Sequence, residues 1–386
     1  MTVPMSEPDI TAAERAAVAA VLETPTLALG PHLARFEERI AAIAGARHGV
    51  GVSSGTAGLH LCVLAAGVEP GDLVITSPFS FVASANCILY AGARPVFVDV
   101  DPVSLTLDPD AVARYLTRLD RSGHRGRVKA LLPVHVFGHA ADMGPLLAIA
   151  ERHGLAVIED ACEAIGAEYR GRPVGALGHA GVFAFYPNKQ MTTGEGGMIV
   201  TDDAGWATLF RSLRNQGRDV FDAWLTHSRL GYNYRLSELA AALGEAQVDR
   251  LDEILARRER VAAWYAARLA GVDGLELPAR APWATRLSWF VYAVRLRAPG
   301  ARDRVIRELE RRGIPSRPYF PPIHLQPFYR ERFGHRPGEF PVAEAAGASC
   351  LALPFFTAMR EAQVDEVCGA LGDVLAEAPA ARRAFA

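Results

Sequence analysis

The chain has 386 residues, half of them hydrophobic and 22% charged, with a formal net charge of −2. That is enough chain for one large domain and a smaller one, and the composition is that of a globular protein, not a disordered one. Near-neutral charge without a dense basic stretch argues against a nucleic-acid surface.

The opening MTVPMSEPDITAAERAAVAAVL has no basic start, and acids and Arg15 interrupt its apolar run, so no secretory signal is expected. No window approaches the ~18–20 apolar residues of a membrane span. The five cysteines (Cys62, Cys87, Cys162, Cys350, Cys368) are odd in number and lack CxxC spacing. Neither a disulfide framework nor a metal site is expected, and a reducing cytoplasm fits.

Short apolar runs then alternate with helical patterns. GVGVS (49–53) precedes GTAGLHLCVLAAG (55–67), and DLVITSP (72–78) precedes FVASANCILYAG (81–92). PVFVDV (95–100) precedes LDPDAVARYLTRL, and KALLPVHV (129–136) precedes MGPLLAIAERHG, with LAVIED (155–160) following directly. Runs this short and apolar on both faces read as parallel strands buried under helices, and the repeated order predicts an α/β sheet. From Ser237 to about Leu269 the pattern predicts two helices or one bent one. Beyond it lie WFVYAVRL (289–296), a helical RDRVIRELERRG, the proline-rich SRPYFPPIHLQPFY (316–329) and a final helix over 361–375. The expected division is a large domain, 1–255, and a smaller α+β domain, 256–386.

GVGVSSG has GxGxxxG spacing, which suggests a dinucleotide fingerprint and a nicotinamide-dependent dehydrogenase. Gly49 and Gly51 fall within the strand instead of the turn after it, and the next strand ends in TSP without an acid, so this reading is disfavoured. Ser54-Gly55-Thr56 fits a helix N-terminus, where free N–H groups and hydroxyls can bind an anion or merely cap the helix.

Of the 41 lysine and arginine residues only two are lysine, Lys129 and Lys189. Lysine can lose a proton and condense with a carbonyl, whereas arginine stays protonated. Lys129, at a strand entry, reads as a surface residue. Lys189, in FAFYPNKQMTTGEGG, follows an apolar strand (180–185) and precedes a glycine-rich turn, so it is the candidate imine-forming amine. Asp160 ends LAVIED at the edge where a parallel sheet opens its crevice. Pyridoxal phosphate asks for this set: an amine, a carboxylate for its ring nitrogen, an anion cradle and a flat side chain. SPFSFVASAN offers Phe81 for that last role and Phe79 for the core.

The motifs SSGTAGLHL, SPFSFVASAN, VIEDACEAIGA, FYPNKQMTTGEGG, GYNYRLSELAAALGEAQ and YFPPIHLQPFY together resemble the DegT-type sugar aminotransferases, which are fold-type-I pyridoxal-phosphate enzymes. The likeness runs over nearly the whole chain. It implies that Lys189 forms the imine and shuttles the proton, that Asp160 pairs with the pyridine nitrogen, and that Phe81 stacks on the ring. Ser54, Gly55 and Thr56 would hold the phosphate and Glu163 would lie near the ring hydroxyl. Asn233 would reach the phosphate of the neighbouring subunit of a homodimer. His324, Tyr319, Tyr186 and Arg235 would meet the substrate. Ala184 departs from the family, which usually has serine there, donating to the phosphate.

The resemblance further implies amine transfer from glutamate to a keto sugar of a nucleoside diphosphate, with a 4-keto-6-deoxyhexose favoured by the likeness to perosamine-type members. A 3-keto nucleotide sugar or a keto-cyclitol is the alternative acceptor, and a non-catalytic regulatory protein on the same fold is a further alternative. His135 and His139, in HVFGHAADM, sit at a strand-to-loop junction unsuited to a helical metal pair; a site-lining role for His135 stays open. Glu195 reads as turn-fixing. Arg214, Arg218 and Arg235 are candidate partners for anionic ligands, against a bland reading as solvated surface.

Overall fold

The computed structural model describes residues 3–121, 127–219 and 226–377. A seven-stranded sheet organises the first two-thirds. Its spatial order is His48–Val52, Gly197–Thr201, Ala180–Ala184, Ala156–Asp160, Val128–Leu132, Leu73–Thr76, Arg94–Phe97. All neighbours are parallel except at Gly197–Thr201, which pairs antiparallel with both strands beside it. The sequence reading had no strand there. The GMIVT run follows the glycine turn so closely that it looks like the end of a loop.

The strands are apolar on both faces because both are covered. Val157, Phe183 and Val200 join one buried cluster, with Leu33 and Phe36 of helix Pro31–Ala44. Their chain neighbours Ile158, Val182 and Ile199 join the other, with Leu59 and Leu61 of helix Gly55–Ala65. That alternation is the period-two signature of a strand sandwiched between helices. Each such side chain contributes about 1.5–3 kcal/mol through burial. Gly49 and Gly51 lie inside the edge strand, where a Cβ on Gly49 would stand 2.2 Å from the Glu37 carbonyl oxygen. These glycines serve helix-to-strand packing, not a dinucleotide turn.

Two helices, Glu238–Asp249 and Leu251–Leu269, fill the expected amphipathic stretch and meet at Arg250. The second belongs to two cores. Leu251 and Leu255 join the cluster beneath the large sheet, while Val261, Ala262, Tyr265 and Leu269 join a separate C-terminal cluster. That cluster packs on a four-stranded antiparallel sheet, ordered Leu275–Glu276, Tyr292–Leu296, Cys350–Leu353, Arg317–Pro318. Helices Ala301–Arg311 and Glu361–Ala376 contribute Val305, Leu309, Val364 and Leu371 to it. The N-terminal segment also reaches it: Val3 is part of this core, and the Phe355 N–H donates to the Met5 carbonyl at 3.0 Å. No described helix is long and apolar enough to cross a membrane.

Candidate active site

The carboxyl ends of the parallel strands place the functional groups. Strand Ala156–Asp160 ends on Asp160, which pairs in register with Val182 of the neighbouring strand Ala180–Ala184. The chain then turns, with the Lys189 N–H donating to the Tyr186 carbonyl at 2.9 Å. The loop closes back on itself through Phe185 N–H to Gly196 O and Thr193 N–H to Phe185 O, both 3.0 Å. Gly197 explains the glycines of this loop. A Cβ there would stand 2.6 Å from the Ser54 carbonyl carbon, so only glycine lets the loop lie against the start of helix Gly55–Ala65.

That helix start is capped and opens on the cleft. The Ser54 hydroxyl accepts from the Ala57 N–H at 3.1 Å, and the Ser54 carbonyl takes the Gly58 N–H. The Gly55 and Thr56 N–H groups, the first two of the helix, have no intrahelical partner and border the cleft. A Cβ on Gly55 would fall 2.7 Å from both the Ala184 Cβ and the Cys162 Sγ. Glycine is therefore what lets the helix end approach the strand ends.

Between these elements lies a cavity of about 430 Å³, within the usual range of small-molecule sites. Lys189, Asp160, Glu163 and Tyr186 line it together with Ser54, Gly55, Thr56 and Phe81. Tyr319 and Phe320, from the C-terminal part, close it over. Phe81 and Tyr186 are half-exposed rings at its mouth, and Phe79 is wholly buried in the core, as expected.

Lys189 Nζ stands 3.5 Å from Glu163 Oε1 and 4.0 Å from the centroid of the Phe290 ring. Glu163 Oε2 accepts from the Phe137 N–H at 2.9 Å. Burial pushes the Glu163 carboxyl up and Asp160 adds to this, while the Lys189 ammonium and the Phe137 N–H pull it back. Burial likewise raises the Tyr319 phenol, with the Glu163 charge adding to it. Lys189 is the one lysine or arginine on the cavity wall among the described residues, a wall it shares with the carboxylates of Asp160, Glu163 and Glu195. Lysine and acids so placed can exchange protons with a bound ligand.

Three expected site residues lie off this wall. His324 is enclosed: its side chain has no exposed surface, and its Nε2 bonds Glu344 Oε1 at 3.1 Å. It packs on Phe97 and Phe340. Asn233 is exposed, and Arg235 donates to Asn215 Oδ1 at 3.0 Å. Arg214 is buried, bonded to Glu37 and to the Gly51 carbonyl, which leaves it no anion to bind. His135 is also structural. Its Nδ1 accepts from the Ala141 N–H, so Nε2 carries the hydrogen and donates to buried Glu159 at 2.9 Å. His139 is held by the Ala140 carbonyl and the Ala281 N–H.

Among the wall residues that the sequence did not single out are Asn188 and Phe290. Asn188, beside the lysine, has a buried Oδ1 without a hydrogen-bond partner. Phe290 comes from the C-terminal sheet region, and no local spacing links it to Lys189. The free helix N–H groups, the glycine-spaced helix start, the unpartnered amide and the amine beside the Glu163 carboxylate all fit pyridoxal phosphate.

Fold and cleft together define a pyridoxal-phosphate-dependent aminotransferase of fold type I. The chain belongs to the DegT/DnrJ/EryC1/StrS aminotransferase family, whose model matches residues 8–372. It is 41% identical over 349 residues to a GDP-perosamine synthase of Caulobacter vibrioides, covering 90% of this chain and 91% of that one. It is 36% identical to the spore coat polysaccharide biosynthesis protein SpsC of Bacillus subtilis, covering 96% and 97%. Among solved structures, DesV of S. venezuelae in complex with a ketimine intermediate matches with a TM-score of 0.88 at 37% identity, over 96% of this chain and 98% of that one.

Proposed function

We propose that this sugar aminotransferase moves the amine of glutamate to a 4-keto-6-deoxyhexose carried on a nucleoside diphosphate. One observation carries the chemistry: the Lys189 amine, 3.5 Å from Glu163, faces a cavity that Asp160 and the free helix N–H groups also border. The substrate assignment is supported by the likeness to the GDP-perosamine synthase.

Pyridoxal phosphate, when bound, supplies an aldehyde that condenses with amines and a ring that takes up an electron pair. Lys189 Nζ would hold that aldehyde carbon and then carry the proton at the reacting substrate carbon. Asp160 would keep the ring nitrogen protonated. Gly55 and Thr56 would hold the phosphate, with Ser54 fixing the helix end that presents them. Glu163 would lie by the ring hydroxyl, Phe81 would cover the ring, and Tyr186 and Tyr319 would border the substrate. Asn233, exposed and outside its own cleft, would complete the phosphate site of the second copy in a homodimer, with Arg235 beside it at the substrate end. On this reading residues 1–255 form the cofactor domain, residues 256–386 form the smaller domain, and the enzyme works in the cytoplasm. Two half-reactions share the cleft: glutamate leaves as its keto acid, then the keto sugar leaves as the amino sugar.

The experiment is turnover of purified enzyme with glutamate and a panel of keto sugars. Expected is amination of a 4-keto-6-deoxy nucleotide sugar at least ~10-fold better in kcat/KM than of 3-keto sugars or keto-cyclitols. No turnover with any 4-keto nucleotide sugar defeats the assignment.

A further inference from the structure

Arg258 sits midway along helix Leu251–Leu269, where that helix passes from one core to the other, and it is 2% exposed. Burial alone pushes its guanidinium down to about 9, and no acid offsets this. A buried charge without a counter-charge is costly, so attention falls on where its donors go. Nε donates to the Trp289 carbonyl and Nη2 to the Phe290 carbonyl, both at 2.8 Å. Nη1 donates to Thr357 Oγ1 at 3.2 Å, and the guanidinium lies 4.8 Å from the centroid of the Phe355 ring. One fork therefore joins the helix, the segment ending in Phe290 and the C-terminal core.

The segment it grips needs gripping. Trp289 has φ +50°, in the left-handed region that a bulky side chain disfavours. Glu259, next to Arg258 on the same helix, accepts from the Trp289 indole N–H at 2.6 Å. From the opposite side Gln190, next to Lys189, donates to Ser288 Oγ at 2.7 Å. This turn aims the Phe290 ring at the lysine, with Nζ 4.0 Å from its centroid. An aromatic face at that distance favours the ammonium over the free amine.

We propose that Arg258 is a positioning residue of the active site: by fixing the Trp289 and Phe290 carbonyls it holds the Phe290 ring against Lys189 and so governs how readily that amine reacts. It acts through Phe290 and touches neither substrate nor cofactor. Glu163 stands beside the amine and the Cys162 thiol interacts with it, while Asp160, Glu195 and the Tyr319 phenol line the same cavity. The inference rests on Lys189 as the reactive amine of the proposed function.

The test uses the presence of only two lysines. The full chain, stripped of cofactor, is methylated reductively with ¹³C-formaldehyde, and the Lys189 methyl signal is titrated by NMR with exposed Lys129 as internal reference. Phe290→Leu is expected to lower the Lys189 midpoint by about half a pH unit or more. Arg258→Met lowers it in the same direction, the double variant goes no further than Phe290→Leu alone, and Arg258→Lys restores part of the shift. A second readout, the pH dependence of the visible band formed with added pyridoxal phosphate, is expected to move in parallel. An unmoved midpoint in Phe290→Leu overturns the proposal, as do additive effects in the double variant. If Arg258→Met does not fold, Phe290→Leu and Arg258→Lys still decide: the lysine variant has to shift the same way by less. The underlying reading fails separately, if Lys189→Ala still forms a band that borohydride bleaches.

Discussion

The two walls of the cleft are built in different ways. The strand-end wall carries Asp160, Glu163, Lys189 and the start of helix Gly55–Ala65. Each of these follows an apolar strand by a few residues, and the glycines at 55 and 197 let the pieces touch. The opposite wall carries Phe290, Tyr319 and Phe320. It is put in place by long-range packing, with Arg258 on Trp289 and Phe290, and His324 on Glu344. The difference teaches a division of labour. The first wall gathers the amine and the carboxylates, and the second supplies aromatic rings.

The sharpest way to break that division is at Lys189. Lys189→Ala is expected to lower kcat for transamination by at least ~10³-fold, since no other lysine or arginine lines the cavity among the described residues. The same variant should show no visible band that borohydride bleaches. Steady-state turnover and an absorbance spectrum check both. Residual activity within tenfold of wild type would move the chemistry off this wall.

A smaller contrast sets the walls against each other. Asp160→Asn keeps the shape but removes a buried charge, and a loss of about 10²-fold in kcat is expected. Tyr319→Phe removes one hydroxyl from the opposite wall, and a change of about tenfold or less, mainly in KM, is expected. Comparable losses in kcat from the two variants would dissolve the distinction.

The same division decides what the sequence could reveal. Lys189, Asp160, Gly55 and Thr56 were read from local rules: a short apolar run, a turn, a capping residue, a lysine among arginines. Glu163, Tyr186 and Tyr319 were pointed to by the resemblance alone, and these three and Phe81 line the cavity. Phe290 was not found, because WFVYAVRL reads as a strand and nothing in its period says which ring meets a distant lysine. The surroundings of His324 were hidden for the same reason. A histidine in a proline-rich loop looks available for a ligand, and only packing shows that Phe97, Phe340 and Glu344 enclose it. Strand Gly197–Thr201 was missed although GMIVT is apolar throughout, since the antiparallel insertion breaks the strand-then-helix rhythm.

Acid and alkali should disturb the two walls in opposite order, with the smallest effect of those considered. Burial lowers the His324 imidazole, and Glu344 only partly offsets this. Its neutral form is the one the fold accepts, so its contribution to stability is present above the unfolded histidine value of ~6.5 and is lost as pH falls towards the lowered folded value. Glu163 has the contrary sign. Its folded carboxyl is raised by burial, so its contribution is present below the unfolded value of ~4.3 and is lost as pH rises through the raised one. Thermal unfolding from pH 4 to 9 checks both. Glu163→Gln should remove the loss that sets in as pH rises above ~4.3, and His324→Gln the loss that sets in as pH falls below ~6.5, each by roughly 1–4 °C. The Glu344 carboxylate is itself held low by the N–H groups of Gly338 and Phe340 and by His324, against the opposing pull of burial. An acid limb unchanged in His324→Gln would mean that the histidine is not what ties the Tyr319 wall to the fold. A flattened one would assign the acid sensitivity of the cleft to a residue off its wall.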